Sequence, residues 1–232
     1  MKSDNILNSA EETLSKYDLD KAIMGRHSIR KFLPRPVPRD LLYECLTLAQ
    51  HAPSNSNIQP WRIFIATGPV RDRLKEALLA VARESSPSVP SLPEHFAHFR
   101  RELGLQVYGI GMGIARDDKE GRAAAVLRNW EFFGAPVVGI VCMDKELGFA
   151  DALGIGMYLQ TLVLSLTARG LGTCCQVALA GYPEVLYKEL AIPRQLSILC
   201  RVSIGYPDPD FPANKLNIGR APIENNVVIQ GY

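Results

Sequence analysis

The chain has no CxxC pair, no GxSxG, no HExxH and no GxGxxG fingerprint. Its five cysteines, Cys45, Cys142, Cys174, Cys175 and Cys200, are odd in number, and adjacent Cys174 and Cys175 cannot easily bridge to each other. Reduced thiols in a cytoplasmic protein are the simplest reading. The four histidines, His27, His51, His95 and His98, form no catalytic triad and no metal set. His95 and His98 have helical spacing but lack a third ligand. The segment GIGMG at residues 109–113 has GxGxG spacing and no strand before it, so it is no Rossmann turn. Net charge is only +2 and the basic residues are not gathered into one block, which gives no basis for a nucleic-acid partner. No internal repeat is visible.

Long apolar runs are also scarce. The most apolar window, residues 152–168, is short for a membrane span and contains Gln160, Thr161, Ser165 and Thr167. It reads as a helix inside a core or a subunit interface, and no membrane association is expected. The first residues, MKSDNILNSAEETLSKYDLD, mix acids and bases with no apolar core, unlike a secretory signal or a mitochondrial presequence.

What is present suits one soluble globular domain over residues 1–232, with 47% hydrophobic and 22% charged residues. Residues 1–17 read as a helical N-terminal extension, and a short helix closes at Gly25. Apolar periodicity predicts helices over residues 39–51, 70–84, 94–105, 119–133, 149–169 and 183–190. RIFIAT (62–67), VVGIVCM (137–143) and SILCRVSIGY (197–206) read as strands. Three or four strands too far apart for hairpins, interleaved with helices, predict an α+β layer structure with one small sheet.

Two stretches carry more than structure requires. RHSIRKF, from residue 26, places Arg26, Ser28 and Arg30 on one side of an extended segment, where two guanidinium groups can hold a dianionic phosphate. A solvated basic turn is the alternative. Lys215 and Arg220, in NKLNIGRAP, form a second basic element. The loop APSNSNIQPW, residues 52–61, ends in an amide, a proline and an indole, which a loop that merely turned would not need.

RHSIRKF, then APSNSNIQPW, then a long apolar helix running into ARGLGTCCQVALAGYPEV, and finally IGRAP resemble, in order and spacing, the FMN-dependent nitroreductase family. The resemblance runs from about residue 19 to residue 228. It implies a three-layer α/β/α sandwich with a small central mixed sheet, in an interlocked homodimer with FMN at the interface. It implies an FMN-dependent NAD(P)H oxidoreductase that reduces nitroaromatic or quinone-like acceptors by ping-pong hydride transfer. NADH or NADPH would visit the flavin pocket only briefly, which accounts for the missing nucleotide fingerprint. No catalytic side chain is then expected, because the cofactor carries the chemistry. The same scaffold also hosts the reverse flow, an oxidase or dehydrogenase acting on a biosynthetic intermediate. A flavin-binding protein without turnover is the reading of another class.

By position in these motifs, Arg26, His27 (through its backbone), Ser28 and Arg30 match the cofactor-binding segment. Pro53, Ser54, Asn55 and Asn57 match the small polar loop that reaches FMN from the other subunit. Leu179, Ala180 and Gly181 match the loop over the ring, with a backbone N–H of Ala180 or Gly181 near N5. Arg220 matches the phosphate arginine; where some members carry a lysine two residues before it, this chain has Ile218. Asn129 is a pyrimidine-edge partner or a helix cap. Tyr108, Ile110 and Met112 cover the open face in a variable region, residues 85–120. Cys174 and Cys175 are either redox groups near the ring or small buried hydrophobes.

Overall fold

Four apolar, β-branched segments make the sheet. They are β1 (Arg62–Thr67), β2 (Val137–Asp144), β3 (Gly172–Gln176) and β4 (Leu196–Gly205), in the order β1-β2-β4-β3. The computed structural model describes residues 16–88, 91–177 and 181–231. β2 is buried at every position but its last, as expected of a central strand covered on both faces. Because side chains alternate along it, Val138, Ile140 and Cys142 enter one core and Val137, Val141 and Met143 the other.

Helices cover both faces. On the second core lie α2 (Arg39–Ala49) and α6 (Phe149–Ala168), which bury Leu42, Cys45, Tyr158, Leu162 and Leu166. On the first lie α3 (Gly68–Glu84) and α7 (Pro183–Glu189), with Leu74, Leu78 and Leu186 wholly buried. The remaining helices are α1 (Lys16–Gly25), α4 (Ala97–Gly104) and α5 (Lys119–Leu127), and a π-helical run, Leu105–Gly111, follows α4 directly. The three-layer arrangement is the expected one.

Three elements differ from the sequence reading. Each named strand pair is antiparallel rather than mixed, and parallel pairing is confined to one bridge between Ser28 and Thr173. β3 was not foreseen, because GTCCQ carries little of the usual strand signature. Its pairing with β4, Gly172 opposite Gly205 through Gln176 opposite Arg201, makes it a strand. The helix expected over residues 119–133 stops at Leu127. Phe132 and Phe133, both at φ 58°, and Gly134, at φ 80°, turn the chain so that both rings enter the core.

α6 is the one helix, among the described residues, long and apolar enough to cross a membrane. One face packs in the core, while Phe149 (83%), Leu153 (55%) and Met157 (42%) are exposed.

Candidate functional site

Residues 26–32 run along the free edge of β3. Ile29 N–H donates to Thr173 O at 2.9 Å, and Phe32 bridges to Pro207. Asn214 ties this segment to the short 3₁₀ turn Pro212–Lys215. Its Oδ1 accepts Arg30 N–H at 2.7 Å, its Nδ2 donates to Lys31 O (2.8 Å) and Asp208 O (3.0 Å), and its own carbonyl meets His27 Nε2 at 2.7 Å. Arg128 Nη2 donates to Arg30 O at 2.9 Å, with its guanidinium 4.6 Å from the Phe211 ring. Burial lowers the Arg128 pKa, with Glu131 opposing. Lys31 pairs with Asp208 at 2.9 Å, and this ammonium, then the Asp210 N–H, holds the Asp208 carboxyl below the usual aspartate range. The segment is therefore held from both sides before any ligand arrives.

The segment borders a cleft of about 230 Å³. Ser28, Arg30, Cys174, Cys175, Gln176 and Asn129 line one side; Arg100, Leu103, Tyr108 and Met112 line another, with Phe133 behind. No Asp, Glu or His lines it, so its two arginines make it cationic. Arg100 is exposed. The lid-side run is fixed by close approach: a Cβ on Gly111 would lie 2.8 Å from Ala213 Cβ and Leu216 Cδ1.

Asn129 takes the helix-cap role, one of the two foreseen for it, and lines the cleft. Its Nδ2 donates to Val126 O at 2.7 Å, closing the end of α5, and its Oδ1 accepts Gln176 Nε2. Gln176 Oε1 is buried with no donor. Directly across the register, Arg201 is wholly buried, and its Nε, Nη1 and Nη2 all lack partners. Burial pushes its guanidinium down to about 9, against the nearby thiols Cys174 and Cys175. Cys174 is buried and its thiol is pushed up by burial, while Arg30 and Arg201 act the other way. It is a neutral thiol at physiological pH, the small-hydrophobe reading; Cys175 is exposed.

Several expected residues are not in this cleft. Ile110 does not line it and is 69% exposed, because the π-helical run turns Val107 and Gly111 inward instead. His27 is exposed and its ring lies between Gly25 O (2.8 Å) and Asn214 O (2.7 Å). Gly181 is buried under the Ser/Pro loop, where its Cβ would lie 2.6 Å from Pro87 Cβ. Leu179 and Ala180 lie outside the described residues. Arg220 is exposed, donating to Ile218 O (2.6 Å) and Gly219 O (3.1 Å) of its own loop. Pro53, Ser54, Asn55 and Asn57 lie against α6, with Ser54 Cβ 3.2 Å from the Cβ position of Gly154.

That loop is anchored as its sequence suggested. Ser54 Oγ accepts Gln59 N–H at 3.0 Å, and Gln59 Nε2 donates to Asn57 O at 3.2 Å. Ser56, Asn57 and Gln59 have positive φ. Trp61 stacks on Tyr158 with centroids 4.7 Å apart, and its Nε1–H donates to Gln50 Oε1 at 2.9 Å.

A small antiparallel sheet between helical layers, with an aromatic and arginine-lined cleft beside its edge strand, defines an α+β domain. Residues 23–206 match the nitroreductase family model, and the chain belongs to that family. It is similar to a 4-nitrobenzoate reductase of Pseudomonas putida, 36% identical over 221 residues that cover 93% of this chain and 96% of the relative. Among solved structures it is similar to the FMN and NADPH-dependent nitroreductase NfnB of "sphigopyxis sp. strain HMH" (TM-score 0.88, 31% identity, 92% and 99% of the two chains). It is also similar to the FMN-dependent nitroreductase NfnB of Mycobacterium smegmatis in complex with NADPH (TM-score 0.86, 30% identity, 93% and 99%).

Proposed function

We propose that this protein is an FMN-dependent NAD(P)H oxidoreductase that reduces nitroaromatic acceptors. The observation that carries the reading is similarity along nearly the whole chain to a 4-nitrobenzoate reductase and to FMN- and NADPH-dependent nitroreductases. The cleft's own chemistry agrees. Gln176 Oε1 is a buried acceptor awaiting a donor, beside Asn129 and Arg30, and a flavin pyrimidine edge offers both N–H and carbonyl groups to such a set.

FMN, when bound, supplies the two-electron chemistry. The chain's residues bind, orient and shield. Arg30, fixed through its backbone by Asn214 and Arg128, places a permanent cation in the cleft wall, where it favours added negative charge. By their place in the family motifs, Arg26 and Arg220 would hold the phosphate, and Ser28, in the cleft wall, would add a hydroxyl. Tyr108, Met112 and Leu103 keep water from the open side and form the acceptor's apolar surface. Donor and acceptor enter in turn between the Arg30 side and the segment from Arg100 to Met112.

The site belongs to a homodimer. A cleft of about 230 Å³ is below the roughly 300–1,000 Å³ of a typical small-molecule site. The loop holding Pro53, Ser54, Asn55 and Asn57 lies away from its own chain's cleft, and α6 exposes Phe149, Leu153 and Met157 beside it. A second copy that covers this apolar face brings its loop to the cleft and completes it. We place the protein in the cytoplasm as one domain, with residues 85–120 setting acceptor choice.

Anaerobic mixing of the FMN-loaded protein with NADH and with NADPH tests the reading. Rapid bleaching of the visible flavin band by one of them, and recovery on adding 4-nitrobenzoate or nitrobenzene, is expected. No bleaching by either nucleotide overturns it.

A further inference from the structure

A bare guanidinium lies inside the sheet. Arg201, on β4, is wholly buried, and all three of its side-chain nitrogens lack partners. Among the described residues no salt bridge involves it. Its nearest aromatic neighbours are Phe132, with the guanidinium carbon 5.0 Å from the ring centroid, and Phe133, at 5.6 Å. A buried, unpaired charge is costly to fold around, and hydrophobic replacements at such positions are often neutral or stabilising. Its presence calls for something other than stability.

Its position supplies that reason. Arg201 stands opposite Gln176 in the β3–β4 register, and cross-strand neighbours share a face of the sheet. Gln176, Cys174 and Phe133 line the cleft, so the guanidinium forms a second layer beneath its lining. Cys174 and Phe133, in the layer between, are buried, and among the described residues no Asp, Glu or His lines the cleft. A cation behind buried side chains with no countercharge among them acts on the cleft with less screening than one in water. Burial lowers its pKa only to about 9, so it stays charged at neutral pH.

We propose that Arg201 is an electrostatic positioning residue that makes this cleft bind reduced FMN more tightly than oxidised FMN. The proposal rests on the reading of the cleft as the FMN site. NAD(P)H delivers two electrons and one proton to the cofactor, which therefore gains one unit of negative charge, and a fixed cation beneath the cleft favours that state. Arg30 acts from the cleft wall and Arg201 from below.

The test compares wild type with Arg201→Met and Arg201→Lys. The readouts are thermal stability of the apoprotein, dissociation constants for oxidised FMN, and the FMN midpoint potential by equilibrium dye titration. Arg201→Met is expected to leave the apoprotein at least as stable, yet to weaken reduced relative to oxidised FMN about tenfold, which for a two-electron couple is a fall of about 30 mV. Arg201→Lys keeps a charge that the same burial neutralises more easily, so its potential is expected to lie between those of wild type and Arg201→Met. Should Arg201→Met fail to fold, the neutral Arg201→Gln takes its place in the same measurement. A midpoint potential unchanged in the neutral variant overturns the proposal and leaves Arg201 a packing residue. Wild-type protein that binds no FMN overturns the functional reading itself, a separate outcome.

Discussion

Asn214 holds Arg30 by its main chain: Asn214 Oδ1 accepts the Arg30 N–H at 2.7 Å, across 184 residues of sequence. The same amide donates to Lys31 O and Asp208 O, so one buried side chain sets the path of the basic segment. Asn214→Ala leaves these groups unpaired, at about 1–3 kcal/mol for each that stays buried. A Tm lowered by about 2–4 °C per kcal/mol lost and weaker FMN retention after dialysis are expected. Unchanged retention would show that Arg30 is positioned without this anchor.

The Lys31–Asp208 pair predicts an acid limb of stability. Asp208 is held below its ordinary pKa mainly by Lys31, so its contribution is fully present above about pH 4 and disappears as pH falls through the depressed value. Lys31→Met is therefore less stable than wild type at pH 7, and the two converge in strong acid. Urea midpoints across this range measure it; a difference that persists or grows in acid contradicts the assignment.

Arg220 spends its guanidinium on two carbonyls of its own loop and is exposed, so its loss leaves the fold unharmed. Arg220→Ala is expected to weaken FMN binding by about 1.5–3 kcal/mol, the value of a charge-assisted hydrogen bond. Fluorescence titration of apoprotein with FMN reads this directly. Full flavin content after dialysis removes Arg220 from the phosphate site.

Arg100 lines the cleft with no acidic neighbour among the lining residues. Arg100→Gln should raise KM for a carboxylate-bearing nitroaromatic up to about fivefold, the reach of an exposed charge pair near 1 kcal/mol. A neutral nitroaromatic should hardly notice, and added salt should mimic the substitution. Equal effects on both acceptors would mean that Arg100 acts on shape, not charge.

The parts legible in the sequence were those whose physics is local. Trp61, Pro60 and Gln59 announced an anchored loop, and Trp61 stacks on Tyr158 while Gln59 ties back to Ser54 and Asn57. Ser28 and Arg30 were visible as a basic extended segment and do line the cleft. Asn214 was not, because NKLNIGRAP gives no hint that an asparagine there serves a segment near residue 30. Nor was Gln176, the last residue of a strand that carries little strand signature.

The sequence alone determined helices and strands around a small sheet, a basic extended segment and the family order of motifs, because periodicity and local charge are properties of neighbouring residues. Tertiary structure decided which residues meet. Pairing of β3 with β4 set Gln176 against Arg201, the turn at Phe132–Gly134 brought Asn129 to the cleft, and the π-helical run chose Tyr108 and Met112 over Ile110. Each depends on contacts between distant segments, which no local pattern encodes.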